Sequence, residues 1–342
     1  MSDSGTWERL DAPAATPASI LARRGQATTP PTAGGGRGGM GRTRRLARSD
    51  RPLLSALDGG GDSFQRHLRD LLVGTAALLG PLVAVNLWVT VVAFDRFDPD
   101  DALFPSLGTG TDSGIEDVAT FIGATFMSLA TAIVGFYVAT VVLADRLGRP
   151  VPGLGVGLRR TLRHLPIVTV AWVFGHWWQP VLVLFAVSAE EDDVAGVVML
   201  LGLLAWVSSA ATLFTIPAMV AERLGPIAAL RRAWRLFRRA SGTTLMLVLL
   251  SVLLGGLYLV GVATLAPLLE ANGFVDFGGA AWIVQGVLVQ LGVLLVVPLV
   301  ACCTTQCYVE VRLDRESLDV LVAADDAFGA AEHDPVERGA PA

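Results

Sequence analysis

Lysine is absent: all 26 basic residues are arginine. This fits a GC-rich coding bias, and it leaves every cationic contact to a guanidinium, which holds carboxylate and phosphate in a bidentate fork. Cysteine is scarce, and Cys302, Cys303 and Cys307 sit together near the end of the last apolar run. Cys303 and Cys307 are four apart, but a tetrahedral site needs a fourth ligand and no histidine or further cysteine is near, so neither a metal nor another cofactor is expected. Histidine is scattered over His67, His164, His176 and His333. The chain has no Walker-type glycine loop, no His-Glu-x-x-His and no Cys-x-x-Cys, and it reads as non-enzymatic. No apolar core of about seven residues precedes a cleavage-like site near the start, so a signal peptide is not expected there.

Long apolar runs dominate what is present. Over 342 residues the hydrophobic share is 53%, above the range of about half that a soluble domain carries. Six runs reach the length of about 20 residues that a bilayer core requires: about 71–94, 118–143, 166–188, 194–221, 244–269 and 279–306. The spacing predicts an all-α, polytopic protein of six transmembrane helices in three hairpins. Acidic residues cluster after the odd-numbered runs, with seven between Asp95 and Asp117 and four from Glu190 to Asp193. The segments on the other side hold 11 arginines before Leu71, five from Arg146 to Arg163 and six from Arg223 to Arg239. The concentration of arginine predicts that both termini and both basic loops are cytoplasmic, with the three cysteines on the same side as reduced thiols.

Residues 1–62 are rich in Ala, Gly, Pro, Ser, Thr and Arg without apolar periodicity, and are expected to form a disordered tail, as are 323–342. The glycine- and arginine-rich stretch from Ala33 to Arg51 has no interleaved aromatic residues to stack on bases, so nucleic acid is not expected as a partner. Between the fourth and fifth runs, AERLGPIAALRRAWRLFRRASG has Pro226 at a first helical position, then Ile227, Leu230, Trp234 and Phe237 on one stripe. Arg231, Arg232, Arg235, Arg238 and Arg239 fall on a neighbouring third of the helical circle. Such a helix is expected to lie in the membrane interface as an elbow, with its arginines on anionic lipid phosphates. GLRRTLRHLP at Gly157–Pro166 repeats the pattern, with Arg159, Arg160 and Arg163 as lipid-phosphate contacts, and SFQRHLRDLL at Ser63–Leu72 is a weaker third copy. Each copy precedes an odd-numbered run, so the domain 63–322 reads as a basic elbow helix and a membrane hairpin used three times.

GPIAALRRAWRLFRR entering an apolar run, together with PLVACCTTQCYVEVRLDRESLDVL at Pro298–Leu321, resembles the six-span membrane domain of bacterial glycerophosphodiester phosphodiesterases, a domain that also stands alone. The most specific parts are Ala229, Leu230 and Trp234, and the series Tyr308, Arg312, Glu316, Leu318 and Asp319. It departs at Ser317, where a glycine is more usual. The resemblance implies a multi-pass protein of the bacterial plasma membrane. It does not carry over the phosphodiesterase activity, since that chemistry belongs to a soluble barrel of about 250 residues and no stretch of this sequence supplies one.

Polar residues inside the runs are the remaining candidates for a site, because a polar side chain in hydrocarbon is costly. His176 sits near the middle of the third run with Gln179 on the same face, while Asn86 lies in the first and Gln285 and Gln290 in the sixth. They are read either as an intramembrane polar cavity or as interhelical hydrogen bonds inside the bundle. The expected function is that of an auxiliary or scaffold component of lipid or envelope processes, working with anionic inner-leaflet lipids and a membrane-protein partner. The alternative is a small-solute or lipid transporter with a cavity at the midplane.

Overall fold

The computed structural model describes residues 51–94, 114–176, 178, 194–276 and 281–318, all within the compact unit Thr43–Ala342. Among the described residues every regular element is helical: α1 (Pro52–Arg66), α2 (Leu68–Phe94), α3 (Gly114–Arg146), α4 (Leu154–His176), α5 (Val194–Thr212), α6 (Thr215–Glu222), α7 (Pro226–Arg239), α8 (Ser241–Ala271) and α9 (Ala281–Glu316). The acidic segments at 95–113 and 190–193, the tails 1–50 and 323–342, and Gln179 lie outside the described residues.

Among the described residues four segments are long and apolar enough to cross a membrane: Met127–Arg146, Gly202–Glu222, Ser241–Tyr258 and Leu291–Glu316. On two of them large apolar side chains turn outward, with Leu203, Leu204, Val252, Leu253 and Leu257 exposed, whereas Met127–Arg146 and Leu291–Glu316 are more than half buried. An apolar surface on this scale is what a multi-pass membrane protein presents to lipid. Of the other expected runs, 71–94 lies within α2, and 166–188 begins inside α4 and leaves the described residues after His176.

Small residues, not large ones, make the closest helix contacts. Tyr137 of α3 is buried with its ring against Gly74 of α2 on one side and Gly157 of α4 on the other. A Cβ added at Gly74 would stand 2.3 Å from the ring and one at Gly157 2.8 Å from it. The Tyr137 hydroxyl donates to the Asp70 carbonyl at 2.9 Å, which satisfies the polar end of the ring. This is packing of the kind membrane bundles use, where helices gain contact by bringing backbones together.

Composition misplaces the first boundary. The helix α1 begins at Pro52, before the domain edge drawn near 62, and it buries Ala56, Gly60 and Ser63 on one stripe. That stripe lies along α9: a Cβ at Gly60 would meet the Cys303 Cα at 2.7 Å, and Gln306 donates to the Ser63 hydroxyl at 2.9 Å. The glycines that read as low complexity are a contact surface. The three cysteines are free and buried in this region.

Helix ends follow local chemistry. Pro52 and Pro226 both open helices at positions where a missing N–H leaves no bond unmade. Pro217 instead breaks one, since its ring conflicts with the carbonyl four residues back, and the fourth apolar run divides there into α5 and α6. Of the expected elbows, only Pro226–Arg239 is a separate helix. The segment Ser63–Leu72 is divided at His67 between α1 and α2, and Gly157–Pro166 continues into the rest of α4 without a break.

The chain leaves α9 through Ser317, which has φ 51. This left-handed conformation costs a residue with a Cβ roughly 1–2 kcal/mol relative to the right-handed one, and glycine is largely spared that cost. Ser317→Gly is therefore expected to raise stability by up to about 1 kcal/mol, read as a higher melting temperature in detergent. A lower melting temperature would contradict the backbone assignment.

Candidate functional site

The end of the bundle that carries α1 and α7 holds a charged core. Along α9, Tyr308, Arg312 and Glu316 recur every fourth residue and share one face, while Gln306 and Glu310 share another. The first face meets α6 and α7. Glu222, the last residue of α6, accepts from Arg232 Nε at 2.8 Å and from the Tyr308 hydroxyl at 2.6 Å through the same oxygen, Oε1. Arg232 donates both terminal nitrogens to Glu316, with Nη1 to Oε1 at 2.6 Å and Nη2 to Oε2. Arg312 completes the group, its Nε donating to Glu316 at 3.0 Å and its Nη1 lying 3.5 Å from Glu222.

Two guanidiniums and two carboxylates thus form one neutral cluster. Their side chains are 3% exposed at Arg232, 1% at Arg312, 0% at Glu222 and 13% at Glu316, so each charge relies on the others in place of water. Burial alone would lower the pKa of the Arg232 guanidinium, but its bonds to Glu316 and the charge of Glu222 outweigh that and raise it above its ordinary value.

The cluster fixes how α7 sits. Its inward face is Ala229, Arg232, Ala233, Leu236 and Phe237, and the two alanines, four apart and both fully buried, let the helix lie close on the bundle. Its outward face carries Ile227 and Trp234, each about half exposed, beside Arg231, Arg238 and Arg239. The stripe drawn from the sequence therefore divides. Ile227 and Trp234 face outward, Leu230 turns toward α4, where a Cβ added at Gly175 would stand 3.5 Å from it, and Phe237 is buried with its ring 5.5 Å from that of Trp234.

Arg232 was expected among the lipid-phosphate contacts and is instead inside the protein. It lies at the edge of the arginine arc nearest to the alanine face, so a modest rotation of the helix about its axis takes it from lipid to Glu222 and Glu316. Of the other α7 arginines, Arg231 and Arg238 are exposed and Arg235 is partly so, and none of the three makes an ion pair among the described residues. Arg239 reaches Glu316 at 3.7 Å. In α4, Arg159, Arg160 and Arg163 are exposed together with Leu162, while Gly157 and Thr161 form the buried face.

Of the expected midplane residues, only the His176 side chain is among those described. The His176 Nδ1 lies 3.3 Å from the Trp172 carbonyl of its own helix, and its ring is stacked on Trp172 with centroids 6.0 Å apart. Asn86 lies on α2, and Gln285 and Gln290 on α9. Their side chains, like Gln179, are outside what the structure describes.

Sequence reasoning overlooked Glu222, Glu310 and Asp145. Glu310 pairs with Arg146 of α3 at 2.7 Å, and Asp145 pairs with Arg66 of α1. The signal for Glu222 and Glu310 was present, because an acidic residue at the end of an apolar run is rarely left without a cation. Comparison with known proteins brings no match: no family model matches the chain, and no curated protein or solved structure is significantly similar to it.

Proposed function

We propose that this protein is a non-enzymatic, six-span component of the bacterial plasma membrane, with both termini cytoplasmic. In this reading α7 is a fixed sensor or anchor for the anionic inner leaflet, and the protein serves as an auxiliary or scaffold element in lipid or envelope processes. One observation carries it. The inward face of α7 is tied to α6 and α9 through Arg232, while its outward face presents Ile227 and Trp234 next to arginines without ion-pair partners among the described residues. A helix that only supported the fold would have no need for that outward face. A helix at a lipid surface uses both halves, the apolar one among acyl chains and the guanidiniums on phosphates.

At roughly 1 kcal/mol per arginine near an anionic surface, Arg231, Arg235 and Arg238 together contribute up to about 3 kcal/mol before screening. Nanodiscs of phosphatidylglycerol are expected to raise the melting temperature above that in phosphatidylcholine discs. Changing the three arginines to Glu is expected to remove that difference. An unchanged difference would overturn the assignment of α7 to the lipid surface. For topology, a reporter active only outside the cytoplasm is expected to work between Asp98 and Asp117 and to fail after Asp319, and the reverse pattern would refute the orientation.

A further inference from the structure

On the opposite side of α9 from the ionic cluster, a cavity of about 240 Å³ opens between α1, α3 and α9. Its polar lining consists of Asp62, Ser63 and Arg66 from α1, Asp145 and Arg146 from α3, and Gln306 from α9. A shallower groove of about 560 Å³ runs on from it along α1, sharing Gly59, Asp62 and Arg146.

Two of these side chains keep a buried polar atom without a hydrogen-bond partner among the described residues. Gln306 is 2% exposed and spends its amide nitrogen on Ser63, but its Oε1 accepts nothing. Arg146 binds Glu310 through Nη2, but its buried Nε donates to nothing. A buried acceptor and a buried donor left open in the wall of one cavity call for a ligand that brings the complementary groups. The wall is shaped for one. Gly59 lies beside the Gln306 amide, where its missing Cβ would stand 3.7 Å from Oε1, so glycine keeps the space in front of that oxygen clear.

Charge selects the ligand class. Arg66 and Arg146 are balanced in the lining by Asp62 and Asp145; Arg66 pairs with both of these carboxylates, and Arg146 with Glu310, which is not part of the lining. A simple anion entering the cavity would gain the guanidiniums but meet two carboxylates, and a simple cation would face the reverse conflict. A molecule that holds an ammonium and an anionic oxygen a few ångströms apart meets neither conflict. Size narrows it further, since pockets for drug-sized ligands measure about 300–1,000 Å³ and this cavity is smaller.

We propose that this cavity is a binding site for a small zwitterionic group. The ammonium donates to Gln306 Oε1 with Asp62 and Asp145 around it, and the anionic oxygen accepts from Arg146 Nε with Arg66 at the rim. A free amino acid and a zwitterionic lipid headgroup share this chemistry, and the experiment separates them. Purified full-length protein in non-ionic detergent is titrated calorimetrically with glycine, with acetate and methylammonium as the two half-molecules. The same protein is melted in nanodiscs of phosphatidylethanolamine and of phosphatidylcholine, which carry no net charge to act on α7 and differ in that the choline nitrogen has no hydrogen to donate.

Saturable glycine binding, at least tenfold tighter than either half-molecule, would assign a free solute. Stabilisation by phosphatidylethanolamine without glycine binding would assign a headgroup, provided the gain disappears in a variant with the cavity blocked. Two such variants guard against a folding defect: Gly59→Leu fills the space before Oε1, and Gln306→Met removes the open acceptor at nearly constant volume. The one that melts like the unaltered protein is used, and it is expected to bind at least tenfold more weakly. Failure of both ligands, binding unchanged in the folded variant, or a half-molecule that binds as tightly as glycine would each overturn the proposal.

Discussion

Arg232→Ala is expected to lower the stability of the fold by about 3–5 kcal/mol, the range for removing one member of a buried ion pair. The loss comes less from the vanished bonds than from what stays behind. Glu222 keeps only the Tyr308 hydroxyl at 2.6 Å and the more distant Arg312, and Glu316 loses its bidentate partner. Arg312 would then be the one buried cation facing two carboxylates, with the exposed Arg239 3.7 Å from Glu316, and Glu222 would have little water to spread its charge. Arg231→Ala, one position earlier on the exposed side, is expected to change stability by no more than about 0.5 kcal/mol. Adding Glu222→Gln to Arg232→Ala is expected to restore part of the loss, because the remaining Arg312 and Glu316 are then a balanced pair. Chemical unfolding in detergent measures all of these. A loss below about 1 kcal/mol for Arg232→Ala would mean that water reaches the carboxylates and that the cluster is not the clasp on α7 described above.

The second large effect falls on neighbouring glycines with opposite signs. Gly60→Ala is expected to destabilise α1 by about 1–3 kcal/mol or more, because its Cβ would stand 2.6–2.8 Å from the Cys303 side chain and backbone. The backbone of α9 cannot turn aside as a flexible side chain could, so α1 must shift or detach. Gly61→Ala meets nothing within 4 Å and is expected to stabilise the same helix by about 0.5–1 kcal/mol, the ordinary advantage of alanine over glycine inside a helix. Hydrogen exchange over 52–66 reads both outcomes directly, as faster exchange in the first variant and slower in the second. Equal effects from the two would show that α1 does not lie against Cys303.

The basic helix between the fourth and fifth apolar runs was legible because its cause is local. Pro226 at its start and the 3.6-residue recurrence of its apolar positions do not depend on any distant residue, and the structure has a helix at Pro226–Arg239. The all-helical class and the membrane-length runs were legible for a similar reason, since hydrocarbon admits only helices or closed barrels and the runs are too long for barrel strands.

Other features depended on distance through space. The glycines of α1 are alike in sequence, yet Gly59 clears space before Gln306, Gly60 touches α9 and Gly61 touches nothing within 4 Å. The five arginines of α7 likewise share one arc by periodicity, and it is Glu222 and Glu316 that draw Arg232, at its edge, inside the protein. By itself the sequence determined helix formation, the apolar lengths and the amphipathic pattern of α7, because these follow from the solvent and from residues within two turns. Only the tertiary structure decided which arginine is buried, which glycine is a contact and where a polar cavity opens. Those outcomes depend on partners up to 243 positions apart, as Ser63 and Gln306 are, and on rotations of a few tens of degrees that periodicity does not resolve.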